Sequence, residues 1–94
     1  MDLKWARSAT KHRVAHERSR YVIEHCGLRF ERDPPGDAPA GADPRLVYLG
    51  DDQAGVALEI MTVELAQGDL LVIHAMTLRE KYREQYEEAK EWRS

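Results

Sequence analysis

The pattern of apolar and polar positions divides this chain into helical ends and an extended middle. Residues 16–26, HERSRYVIEHC, carry Tyr21, Val22, Ile23 and Cys26 on one apolar flank, with Gly27 as a C-terminal stop, which predicts a helix. A shorter helix is expected over residues 4–12, anchored by Trp5. All four prolines fall in RDPPGDAPAGADP, between Pro34 and Pro44, so residues 31–44 read as a Pro/Gly-rich loop that forbids regular pairing. Three strand patterns follow: RLVYLG (45–50), the alternating VALEIMTVEL (56–65) and LLVIHAM (70–76), separated by the turns DDQAG and AQGD. Connections this short support antiparallel pairing and exclude parallel crossovers. From about residue 78 to 92, Leu78, Tyr82, Tyr86, Ala89 and Trp92 recur at near-helical spacing and predict a C-terminal helix. The expected architecture is an α+β fold: N-terminal helices, an antiparallel sheet of three strands or slightly more, and a closing helix. Residues 1–94 make a single domain.

The hairpin between the last two strands brings candidate chemistry together. If Gln67-Gly68 forms a two-residue turn, Met61 faces His74 and Glu59 faces Met76. His74 then shares a face with Val72 and Met76, and Glu59 lies diagonally from it, about 7 Å away at the backbone. A carboxylate beside an imidazole is a usable acid–base pair, and one residue of slip abolishes it. The alternative is an ordinary hydrogen-bonded histidine on a sheet face. Just beyond, Arg79 and Lys81 open the last helix, where the macrodipole attracts an anion. Cations placed there suggest an anionic ligand. Tyr82 falls on the apolar stripe and reads as core. Lys11-His12-Arg13 forms a donor-rich basic turn, and Arg45 at the start of its strand is a further candidate phosphate contact.

Composition narrows the function classes. An apolar fraction of 43% suits a globular core, and a charged fraction of 33% implies a heavily solvated surface. Cys26 is the only cysteine, so no intrachain disulfide can form, and a reducing, cytoplasmic setting is expected. No apolar run approaches the roughly 18 residues that span a membrane, and MDLKWARSATKHR does not resemble a signal peptide. The net charge of −3 argues against simple electrostatic adhesion to nucleic acid. That charge is uneven: residues 1–30 hold seven Lys or Arg against three acids, whereas residues 31–76 hold two against nine. Scattered histidines give no metal-ligand cluster, so no metal or cofactor is expected, and neither a phosphate-binding Gly-rich loop nor a serine-nucleophile motif occurs.

Three segments carry a family resemblance. Trp5 followed by Lys11-His12-Arg13-Val14 looks like a tryptophan and a KH-x-V turn joining two helices. RLVYLGDDQAGVALEIMTVEL resembles a central hairpin, and LLVIHAMTLREKYREQYEEA resembles a final strand and basic helix. Together they resemble the BrnT-like branch of the RelE superfamily, the ribonuclease toxins of type II toxin–antitoxin modules. Members tend to carry serine and arginine where His74 and Met76 stand, and a longer first helix. The resemblance implies a compact metal-independent endoribonuclease that cuts mRNA, on the ribosome or free of it, and slows translation. It also implies a DNA-binding antitoxin that masks the site. Acid–base work falls to His74 or His12, with Glu59 as the carboxylate partner, and phosphate stabilisation to Lys11, Arg13, Arg45, Arg79 and Lys81. The competing readings are a non-catalytic RNA-, ribosome- or protein-binding regulator of the same fold, and an assembly subunit packing a partner through Tyr82, Tyr86 and Trp92.

Overall fold

The computed structural model describes residues 2–26, 28–33 and 44–93, apart from the side chains of Trp92 and Arg93. In chain order the elements are β1 (Leu3–Trp5), a 3₁₀ turn (Arg7–Thr10), α1 (His16–His25), β2 (Leu28–Arg32), β3 (Arg45–Asp51), β4 (Ala57–Glu64), β5 (Leu70–Thr77) and α2 (Glu80–Arg93). The class is α+β, but the expected three-stranded antiparallel sheet with two leading helices is wrong. The sheet has five strands in the order β1-β5-β4-β3-β2, and it is mixed, because β1 runs parallel to β5. The Gly27 stop and most of the proline loop lie outside the described residues.

Both extra strands cover sheet edges. The expected helix over residues 4–12 is instead β1 and the 3₁₀ turn. Leu3, Lys4 and Trp5 pair with Leu70, Leu71 and Val72, and the Ala6 N–H continues the ladder onto the Val72 carbonyl at 2.8 Å. Satisfying the open backbone groups of β5 outweighs weak local helix propensity in so short a segment. On the other edge β2 pairs with β3 from Leu28↔Leu49 to Arg32↔Arg45. Leu28 and Phe30 turn inward, while Arg29 and Glu31 face solvent.

The β4–β5 hairpin reaches the expected pairing by an unexpected route. Its turn has three residues rather than two: the Leu65 N–H donates to the Asp69 carbonyl at 2.7 Å and the Gly68 N–H to Leu65 at 2.9 Å. Gly68 takes a φ of 84°, which glycine adopts freely. That longer turn shifts the pairing by one residue, giving Thr62↔Val72. A bulge then restores it: Ile73 is extra on β5, and from there Met61 faces His74 and Glu59 faces Met76.

The sheet lies between the two helices. On one side, Val22 of α1, Val14 and Ala9 pack on Tyr48, Leu58, Ile60, Val72 and Ala75. On the other, Tyr82 of α2 packs on Val47, Leu49 and Met61, flanked by Phe30, Ile73, Leu78 and Tyr86. Val72 therefore belongs to the α1 side. His74 does not share its face as expected, because the bulge sends both Ile73 and His74 to the α2 side. Among the described residues, no helix is long and apolar enough to cross a membrane.

Candidate active site

Glu59 is the centre of the α2-side face. It sits mid-strand in an apolar run and is fully buried, at 0% exposed. A carboxylate so placed needs partners, and it has four. His74 Nε2 donates to its Oε2 at 2.9 Å. Arg79 Nε and Nη2 donate to the same oxygen at 2.9 and 2.6 Å. The Arg79 backbone N–H donates to Oε1 at 2.8 Å. The anion expected at the start of the last helix is thus supplied internally, by Glu59. Burial pushes the Glu59 pKa up, but the hydrogen bonds from Arg79 and His74 more than offset it and hold the carboxyl below its ordinary value of 4.5.

An ionised Glu59 fixes the tautomer of His74. Nε2 must carry the proton it donates, so in the neutral ring Nδ1 keeps the lone pair. Burial lowers the His74 pKa, opposed by Glu59 and assisted by Arg79 and His12, and the net shift is below the ordinary 6.5. The imidazole is therefore neutral at pH 7. Its side chain is 21% exposed, at the wall of an open cleft of about 610 Å³. Ser8, Arg32, Asp33, Arg45, Met61, Ile73 and Arg79 line the same cleft. The Ser8 hydroxyl donates to the Ile73 carbonyl at 2.7 Å, tying the 3₁₀ turn to the bulge that aims His74. The His12 ring lies edge-on to His74, with centroids 6.0 Å apart.

The site residues expected from sequence separate into two groups. His74, Arg79 and Arg45 meet in the cleft, His12 stands beside it, and Glu59 is buried beneath it as a positioning carboxylate out of reach of any substrate. Lys81 stands outside, its ammonium 5.0 Å from the Tyr82 ring centroid. Lys11 and Arg13 are exposed on the turn that carries His12. Arg32 was not singled out by sequence. Its signal was masked, because residues 31–44 read as a loop and Arg32 fell inside it. Among the described residues, no three or more His, Cys, Asp or Glu are grouped to hold a metal ion.

Two predictions arise from this geometry. Arg13 has a φ of 58°, in the left-handed region, while its N–H bonds the Thr10 carbonyl at 3.1 Å. Arg13→Gly is expected to raise stability by up to about 1 kcal/mol in a thermal melt. A loss would show that the Arg13 side chain contributes more than its backbone costs. The second concerns acid. His74 and Glu59 both have folded pKa values below their ordinary 6.5 and 4.5, so the unfolded chain binds protons that the folded chain refuses. Stability is expected to be full above pH 6.5, to fall as pH drops through the folded His74 pKa, and to fall again below pH 4.5 as Glu59 protonates. Urea midpoints across that range measure it, and His74→Asn should flatten the upper stage.

A comparison with protein-family models finds no match to this chain, and a comparison with curated proteins finds none either.

Proposed function

We propose that this chain is a ribonuclease toxin of a toxin–antitoxin module, cleaving the phosphodiester backbone of mRNA in the cleft beside His74. The supporting observation is an imidazole held by a fully buried carboxylate in a cleft lined by three arginines. His74 Nδ1 takes the proton from the ribose 2′-OH, and the 2′-oxygen attacks phosphorus. The bond to the 5′-oxygen breaks, leaving a 2′,3′-cyclic phosphate. His12 delivers a proton to that departing oxygen. Glu59 stabilises the imidazolium formed on His74 and keeps its ring in place. Arg79 spends two of its five guanidinium N–H donors on Glu59, which leaves three for charge developing on the phosphoryl oxygens. A DNA-binding antitoxin would cover the cleft.

The test is cleavage of RNA by the purified chain in the presence of a chelator, with the new ends analysed. Fragments carrying 2′,3′-cyclic phosphates, together with growth arrest on induced expression that the neighbouring gene relieves, support the reading. Intact RNA and unaffected growth overturn it. One observation favours a second reading, a non-catalytic RNA- or protein-binding regulator: the Glu59–His74–Arg79 cluster is satisfied within the chain and could serve the fold alone. RNA binding without cleavage is its signature.

A further inference from the structure

Strand register places two arginines one step from the His74 centre. On the α2 face Phe30, Val47, Met61 and His74 form one row across the sheet, and Arg32 and Arg45 begin the next. Arg45 is two strands from β5 and one side-chain repeat along, so its backbone is roughly 12 Å from that of His74. Arg32 and Arg45 are direct cross-strand partners and line the same cleft as His74. Like charges placed directly opposite destabilise a sheet. Among the described residues neither forms an ion pair, and Asp33 is the acid that lines the cleft beside them. The neighbouring acids Glu31 and Glu64 line a separate cavity of about 390 Å³ on the opposite face. The hairpin end therefore gathers Arg32 and Arg45 on the cleft side, with Asp33, and turns Glu31 and Glu64 to the other. Arg32 is also held in place, because its Nη1 donates to the hydroxyl of buried Tyr82 at 2.5 Å.

We propose that Arg32 and Arg45 form a second phosphate subsite, gripping a backbone phosphate of single-stranded RNA that flanks the one at His74. The proposal rests on the ribonuclease reading for the His74 centre and adds a length requirement to it. A dinucleotide fills the His74 centre alone, whereas a longer strand reaches both. Planar guanidinium forks suit phosphate oxygens, and a nucleic-acid strand supplies such anions at a regular spacing along one cleft. An acidic protein segment has the same sign of charge but does not explain an imidazole in the same cleft.

Fluorescence anisotropy with labelled, uncleavable 2′-O-methyl RNA tests this on the full chain. An octanucleotide is expected to bind the wild type at least tenfold more tightly than a dinucleotide. Arg32→Gln/Arg45→Gln should remove that advantage and reduce the slope of log affinity against log salt by roughly 0.7, as expected for one single-strand phosphate no longer neutralised. Arg45→Gln alone leaves the Arg32–Tyr82 bond in place and should remove about half of that slope change. Wild-type-like octanucleotide binding by the variants overturns the subsite, as does equal weakening for both lengths or stronger competition by a glutamate peptide than by unlabelled octanucleotide. Cleavage of natural RNA is measured in parallel. Cleavage without arginine-dependent binding removes the subsite alone, and arginine-dependent binding without cleavage removes the ribonuclease reading alone.

Discussion

Glu59→Leu is expected to lower the stability of this fold by about 3 kcal/mol, the low end of what breaking a buried ion pair costs. For a domain of this size that is a fall of roughly 12–24 °C in thermal midpoint. The low end applies because Arg79, with 38% of its side chain exposed, can turn to water once its partner is gone. His74 has less freedom, and its Nε2–H is left facing an apolar side chain. Glu59→Gln is not a benign control: its amide oxygen can replace one carboxylate oxygen, but its NH₂ group then faces N–H donors of Arg79 or His74. Glu59→Leu/Arg79→Leu should recover part of the loss, since the uncompensated cation goes with its partner. A melt of Glu59→Leu within about 0.5 kcal/mol of wild type, the range of an ordinary surface substitution, would show that the cluster does not stabilise the fold.

The sequence made the Glu59–His74 contact legible through hairpin register. Of the two glutamates in VALEIMTVEL, Glu59 shares parity with Met61 and so falls on the face that the hairpin gives to His74, whereas the bonds from Arg79 to Glu59 left no sequence signal. The pairing of Met61 with His74 was readable, although two departures from the simple hairpin cancel to produce it: a turn one residue longer and a one-residue bulge at Ile73. Neither leaves a pattern in apolar spacing. The face of His74 depends on the bulge, so alternation wrongly joined it to Val72. β1 and β2 were missed because they are short edge strands, stabilised by the strand beside them rather than by their own residues. Missing β2 hid Arg32, since its partnership with Arg45 exists only once the hairpin is drawn. Lys81 lies outside the cleft for a simpler reason: it sits in the first turn of α2 with its ammonium over the Tyr82 ring, whereas Arg79 precedes the helix and turns back to Glu59.

His74→Ala separates catalysis from stability. Under the proposed chemistry it is expected to reduce RNA cleavage roughly 100- to 10,000-fold, the usual range for a general base. Glu59 keeps its three bonds from Arg79, so the stability loss should stay near 1 kcal/mol, about that of one hydrogen bond. The acid limb of the rate profile gives the more specific check. A base acts unprotonated, and the His74 pKa lies below 6.5, so wild-type cleavage should persist below pH 6.5 and then fall as the imidazole protonates. Glu59 raises the His74 pKa through its hydrogen bond and its charge, while Arg79 lowers it. Glu59→Gln should therefore move the acid limb to lower pH and reduce the plateau rate, because the imidazolium formed during reaction loses its counter-charge. A fully active His74→Ala, or an acid limb that moves to higher pH in Glu59→Gln, would remove His74 from the role of base and leave the Glu59 cluster a structural one.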